Sequence, residues 1–120
     1  IETRLTALAD SVAHGFGCKA TIRYERRYPP TINDAAEAAF IRSVASAQDG
    51  IRVEEVAPSM AAEDFAFMLE ARPGCYLWPG SGRTGSDPGL HSPYFDFNDE
   101  IIPLGVDLWR SVVETKLAVA

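Results

Sequence analysis

The sequence predicts a single domain of the α/β class, and three observations lead to this prediction. Amphipathic stretches of helical length alternate with short extended stretches in the order α-β-α-β-α-β, and a further helix follows. The chain has 120 residues, a length typical of one domain. Its residues are 47% hydrophobic and 23% charged, which is an ordinary globular balance and excludes a disordered or membrane-embedded chain.

The first helix and strand precede a proline pair. Apolar residues recur at helical spacing from Ile1, and the helix is expected to end near Gly15 and Gly17. Residues 20–28 then alternate apolar and polar side chains, which predicts a half-buried strand. Pro29-Pro30 cannot continue a β-ladder, so this segment is a linker and a candidate domain boundary.

Two helices and one strand are predicted for the middle of the chain. Asp34 is a candidate N-cap, and Asp34-x-x-Glu37 approximates a capping box for a helix that ends by Gly50. Residues 51–56 are expected to form a short strand. A helix over residues 62–71 should follow, with these side chains facing inward: Phe65, Met68 and Leu69.

The last third contains an inner strand, a long loop and a helix. Residues 75–78 are a continuous apolar run of strand length. Residues 79–98 have no periodicity and are rich in glycine and proline, and a loop of this length is usually functional. The final helix should begin at Asp99 and Glu100 and continue to the C-terminus, with an apolar stripe of four residues: Leu104, Leu108, Val112 and Val113.

Charge and cysteine content limit the partners. Eleven Lys and Arg against seventeen Asp and Glu give a formal net charge of −6, which disfavours nucleic acid as a partner. There is no apolar run long enough for a membrane span and no signal-peptide pattern, so neither a membrane nor export is expected. Cys18 and Cys75 are far apart in sequence, which indicates reduced thiols and a cytoplasmic protein.

Two apparent motifs in the loop do not carry a function. The glycines of residues 80–85 match neither of the phosphate-binding patterns GxGxxG and GxxxxGK[ST], and no helix is predicted after them, so they indicate a flexible loop. Ser92, His91 and Asp96 could be drawn as a triad, but neighbours in sequence rarely face one another and no nucleophile elbow surrounds the serine.

His91 is the candidate metal ligand. It lies at the end of the glycine-rich loop and shortly before an acidic segment that could orient its second ring nitrogen. Spacing alone also permits an ordinary loop histidine, because one histidine does not make a metal site.

Four segments together resemble a known family. They are residues 28–34 (YPPTIND), residues 60–65 (MAAEDF), Pro73-Gly74 before an aromatic strand, and residues 90–100 (LHSPYFDFNDE). In order and spacing they are similar to the C-terminal part of the amidohydrolase branch of the zinc aminoacylase and carboxypeptidase superfamily, which includes hippurate hydrolases and N-acyl-amino-acid amidohydrolases. The resemblance covers nearly the whole chain.

The resemblance implies a two-domain parent enzyme. Residues 1–30 correspond to the last helix and strand of an α+β lid domain that also dimerises. Residues 31–120 correspond to the C-terminal β/α units of a metallo-aminopeptidase-like catalytic domain. On this basis the chain is expected to be a C-terminal fragment and to self-associate, as a homodimer or otherwise.

The resemblance also implies the chemistry. The parent would hydrolyse the amide bond of N-acyl amino acids, such as hippurate, with two divalent metals (Zn, Mn, Co or Ni) that lower the pKa of the attacking water. His91 maps onto a metal ligand of the family. The general base and the other ligands would lie in the N-terminal half, so no catalytic residue is expected here, and the fragment should be inactive and hold no metal.

Glu63 and Asp64 are further candidates, as substrate-binding groups or as groups that support the ligands. Two acids in the first turn of a helix also complement its dipole, and this explanation is equally good. Ala62 stands where the family often has a serine, which leaves the pocket contacts open. The rival hypothesis for the whole chain is a stand-alone α/β binding or dimerisation module without catalysis.

Overall fold

The computed structural model describes residues 1–83, 85 and 87–118, and four helices lie within them. Helix α1 spans Glu2–Gly15, α2 spans Ala35–Ser46, α3 spans Ala66–Ala71 and α4 spans Ile101–Lys116. The predicted positions of the first, second and last helices are confirmed. Thr84 and Ser86, in the predicted loop over residues 79–98, lie outside the described residues, as do residues 119 and 120 of the predicted C-terminal helix.

The start of α2 follows the capping prediction in part. The Asp34 Oδ1 atom accepts hydrogen bonds from the backbone N–H groups of Ala36 (2.9 Å) and Glu37 (3.0 Å), which leaves two fewer unsatisfied donors in the first turn. The Glu37 carboxylate does not complete a capping box. It forms an ion pair with Lys116 of α4 at 2.7 Å instead.

Helices α2 and α4 pack against each other and form the core. Among the described residues they are the only pair of helices in contact. Val44 and Ala45 of α2 are buried against Leu108 of α4, and four partly buried side chains surround them: Phe40, Ile51, Leu77 and Val112. At the C-terminal end of α4, the Lys116 ammonium lies 4.5 Å from the centre of the Phe40 ring and adds a cation–π contact to its ion pair.

Helix α3 is shorter than predicted, and parts of two expected apolar stripes face solvent. Its first turn begins at Ala66 rather than Ala62, and Met68 is 63% exposed rather than inward. In α4, Leu104 and Val113 are also exposed, because only the face that bears Leu108 meets α2. The periodicity marks more apolar surface than one partner helix covers.

The three predicted strands are not formed. In residues 20–28, 51–56 and 75–78 the described backbone has no β-ladder, so the α/β architecture is not realised in this structure. A strand is stable only when a neighbouring strand takes up its backbone donors and acceptors. Within the part of the chain that the structure describes, these segments run beside no such neighbour, and their alternating or apolar patterns therefore do not produce a sheet.

The chain exposes far more surface than a compact protein of its size. Its accessible surface is 10349 Å², whereas a compact monomer of this mass exposes about 6,400 Å². Its radius of gyration is 20.9 Å, compared with about 14 Å for a compact domain of this length. Helix α1 has no buried residue; its side chains Leu5, Leu8 and Val12 are exposed, as is Phe16 directly after it.

Candidate functional site

His91 lies in a tight turn within the loop that precedes α4. The Ser92 N–H donates to the Gly89 carbonyl oxygen at 3.1 Å, so His91 lies inside a short turn, and a second turn follows in which the Phe95 N–H donates to the Ser92 carbonyl oxygen at 3.1 Å. The Ser92 Oγ atom also accepts from the Tyr94 N–H at 3.1 Å. These bonds fix the backbone on the C-terminal side of the imidazole.

His91 has a left-handed backbone conformation, with φ at 69°. Among the described residues it is the only non-glycine residue with positive φ. Such a conformation costs on the order of 1–3 kcal/mol and persists where the surroundings enforce it, often at functional sites. Sequence reasoning did not predict this feature, because only a few per cent of non-glycine residues have positive φ, although histidine is several-fold enriched among them.

The imidazole is accessible to a ligand. His91 is exposed, and no hydrogen bond or ion pair to its side chain occurs within the described part of the chain. A ring nitrogen with a free lone pair suits a divalent metal. Within residues 1–83, 85 and 87–118, however, no group of three or more His, Cys, Asp or Glu side chains could hold a metal ion. The donors present fit one ligand of a metal site and not a complete site.

Glu63 and Tyr76 form a second polar cluster. The Tyr76 hydroxyl donates to Glu63 Oε2 at 2.9 Å, and the Phe65 N–H donates to Glu63 Oε1 at 3.2 Å. Both bonds favour the carboxylate, and that from Tyr76 is the larger influence, so they hold the pKa of Glu63 below its ordinary value. The hydrogen bond with Glu63 and its negative charge raise the pKa of Asp64.

Asn33 positions the tyrosine of this cluster from 43 residues away. Its side-chain Nδ2 donates to the Tyr76 carbonyl oxygen at 2.9 Å, and its Oδ1 accepts from the Tyr76 N–H at 2.8 Å. One amide side chain thus satisfies both backbone groups of Tyr76, as a neighbouring strand would. The Asp34 N–H reinforces the contact by donating to the Gly74 carbonyl oxygen at 2.9 Å.

The predicted site residues therefore lie in two separate places. Glu63 and Asp64 lie before α3, where their side chains interact with each other and with Tyr76. No hydrogen bond or ion pair joins either acid to His91 in the described structure. Sequence reasoning missed the parts played by Asn33 and Tyr76, since no local pattern signals a contact across 43 residues.

The chain belongs to a known family of hydrolases. Residues 3–115 match the sequence profile of the peptidase family M20/M25/M40, which covers nearly the whole chain and shows that the chain is a member. The predicted resemblance to the amidohydrolase branch is confirmed by relatives that are named as amino acid hydrolases and deacetylases.

Three relatives illustrate the match. The chain is 35% identical to IAA-amino acid hydrolase ILR1-like 4 of Arabidopsis thaliana over 102 residues, which are 79% of this chain and 23% of that protein. It is 28% identical to the N-acetyldiaminopimelate deacetylase of Halalkalibacterium halodurans over 96% of this chain and 30% of that protein. It is 31% identical to the N-acetyl-L-cysteine deacetylase of Bacillus subtilis over 85% of this chain and 24% of that protein.

The chain spans less than a third of the length of these relatives. No solved structure gives a significant match to it. Among the described residues, none of the helices is both long enough and apolar enough to cross a membrane.

Proposed function

We propose that this chain is the C-terminal part of a metal-dependent amidohydrolase that hydrolyses the amide bond of N-acyl amino acids, with hippurate-like compounds among its substrates. The observation that carries the proposal is the family match over residues 3–115. The names of the relatives agree with it, since each describes the hydrolysis or deacetylation of an amino acid derivative.

In this proposal His91 is one ligand of a divalent metal, and the remaining ligands and the general base come from the rest of the parent protein. Its exposed imidazole, the turn that contains it and the turn that follows support the role. The metal would supply an acidified water for attack on the amide carbonyl. Glu63 and Asp64 are proposed as substrate-binding groups or as groups that support the ligands, and the hydrogen bond from Tyr76, which lowers the pKa of Glu63, supports an ionised Glu63 in either role.

The proposal includes an α/β architecture in two parts. Residues 1–30 would belong to a lid domain and residues 31–120 to the catalytic domain. The packing supports this division, since among the described residues α1 touches none of the other helices while α2 and α4 pack together. Segments 20–28, 51–56 and 75–78 would become strands once neighbouring strands of the parent pair with them.

The rival hypothesis of a stand-alone binding or dimerisation module is less well supported. Such a module needs a compact core of its own, and the large accessible surface and the exposed apolar faces disfavour it. Homodimerisation and a cytoplasmic location remain parts of the proposal. The second is supported by the two cysteines, Cys18 and Cys75, which are both free thiols.

The test is a hydrolysis assay with two proteins, the full-length parent and this chain alone. Both are incubated with N-acetyl and N-benzoyl amino acids and with Mn²⁺ or Zn²⁺, and release of the free amino acid is measured. The parent should be active. The chain alone should be inactive, because the residues described here hold too few metal ligands. An inactive parent, or activity of this chain that is lost in His91→Ala, would contradict the proposal.

A further inference from the structure

Glu63 is joined to Asn33 through one tyrosine, and every link in this chain of contacts is a direct hydrogen bond. The Asn33 Nδ2 atom donates to the Tyr76 carbonyl oxygen at 2.9 Å, and its Oδ1 accepts from the Tyr76 N–H at 2.8 Å. The Tyr76 hydroxyl donates to Glu63 Oε2 at 2.9 Å. A change at Asn33 can therefore reach the Glu63 carboxylate through Tyr76.

The bonds from Asn33 fix the backbone from which the phenol projects. One amide side chain has its donor and its acceptor at a fixed separation, so the pair of bonds sets the orientation of the peptide groups on both sides of Tyr76. The Asp34 N–H adds a bond to the Gly74 carbonyl oxygen at 2.9 Å. Within the described residues, no β-ladder holds residues 75–78. The position of the Tyr76 backbone consequently depends on these bonds from Asn33 and Asp34.

The ring of Tyr76 is placed beside Glu63 by a second set of contacts. Its centre lies 5.4 Å from that of the Phe65 ring, a separation at which aromatic rings attract each other. The Phe65 N–H donates to Glu63 Oε1 at 3.2 Å. Each Glu63 oxygen thus accepts a hydrogen bond from the protein, whereas an ionised carboxylate offers about four acceptor sites in total. The remaining sites can accept a donor group of a substrate, such as an amide N–H.

A hydrogen bond weakens steeply when its angle departs from linearity, so the direction of the Glu63 carboxylate decides how well it can accept from a substrate. We propose that Asn33 is a positioning residue, which fixes Tyr76 and thereby orients the Glu63 carboxylate toward the substrate of the parent enzyme. This inference rests on the proposed function, because it takes Glu63 as a substrate-binding group, the first of its two proposed roles. The pKa of Glu63 agrees with it, since the hydrogen bond from Tyr76 is the largest influence that lowers this pKa.

The experiment uses the full-length parent and has two readouts. The first is the pKa of Glu63, measured by NMR on protein with isotope-labelled glutamate, in which Glu63→Gln identifies the resonance. The second is the pair of constants kcat and KM for N-acetyl amino acids. The variants are Asn33→Ala, Tyr76→Phe and the double variant. Gln48→Ala is the matched control, because the Gln48 amide also donates to a distant backbone carbonyl, that of Asp107 in α4, at 3.1 Å.

We expect Asn33→Ala to raise KM about fivefold, because a hydrogen bond from the substrate to a charged group is weakened. The value of kcat should stay within about twofold, as is typical when only binding is lost. The pKa of Glu63 should rise, as in Tyr76→Phe, and Asp64, which also acts on Glu63, is unchanged in every variant. In the Tyr76→Phe background, Asn33→Ala should have almost no further effect on either readout, because both changes act through one hydroxyl. Gln48→Ala should match the wild type.

A KM of Asn33→Ala within about twofold of the wild type, or an unchanged pKa of Glu63, would overturn the inference. So would an equal rise in KM with and without the Tyr76 hydroxyl, since this would indicate a general structural effect. If Asn33→Ala fails to fold, Asn33→Ser decides by the same criteria. A parent that is inactive on these substrates would overturn the proposed function and the inference with it, whereas an active parent in which Glu63→Gln leaves KM unchanged would overturn the inference alone.

Discussion

When this chain is produced alone, we expect it to self-associate. Dilution should reveal this, because the average mass in solution should then depend on the protein concentration. Its accessible surface of 10349 Å² exceeds that of a compact monomer of its mass by about 3,900 Å². A standard protein–protein interface buries about 800 Å² on each partner, so the excess corresponds to about five such patches. The exposed side chains include Leu8 of α1, which is 66% exposed, and Phe16 directly after this helix, which is 82% exposed.

Interfaces of standard size bind with dissociation constants from about micromolar to picomolar, so association should be evident at about 1 µM and above. The assay is sedimentation velocity over a series of protein concentrations from 0.1 to 100 µM, which spans about three orders of magnitude around a dissociation constant of about 1 µM. The weight-average mass should rise with concentration well above 13.1 kDa. A monomer at every concentration, whether compact or extended, would refute the reasoning that uncovered apolar faces drive association.

Two further predictions concern local contacts. Asp34→Ala should cost about 1 kcal/mol of stability, because the first turn of α2 loses its side-chain cap. The backbone amides of Ala36 and Glu37 should then exchange hydrogen about fivefold faster, and the control Asp34→Asn should lose less stability. Unchanged exchange in Asp34→Ala would contradict the capping role. Tyr76→Phe should raise the pKa of Glu63 toward its ordinary value. A carboxyl group whose pKa is lowered in the native state stabilises that state at pH values above the unfolded-state pKa, and this contribution is lost as pH falls through the native pKa. The difference in stability between Tyr76→Phe and wild type should therefore vanish in acid. An NMR titration in which the Glu63 pKa does not move would refute this.

The helices were predictable because their signals are local. The cap at Asp34 and the apolar periodicity of α1, α2 and α4 depend on residues within a few turns of one another. The strands at 20–28, 51–56 and 75–78 were not predictable in the same way, because a strand depends on a partner that the local pattern does not specify. Their period-two or apolar patterns indicate buried extended chain, but this structure has no ladder within the described residues to bury it.

The same distinction between local signals and contacts of residues far apart in sequence applies to the candidate site. The position of His91 in a long loop before the last helix follows from glycine content and from the resemblance of residues 90–100 to a family motif. The bond from Tyr76 to Glu63 and the bonds between Asn33 and Tyr76 join residues 13 and 43 positions apart. Such contacts are set by tertiary packing, so no spacing rule could identify them.

The measurement that tests the account most directly is the metal content of the full-length parent with His91→Ala. The protein is dialysed against metal-free buffer, and bound Zn²⁺ and Mn²⁺ are quantified beside the thermal midpoint of the metal-free form. We predict reduced metal retention with little change in the midpoint, because an exposed loop histidine contributes little to the core. Undiminished metal occupancy in His91→Ala would show that His91 is an ordinary loop residue and would contradict the account.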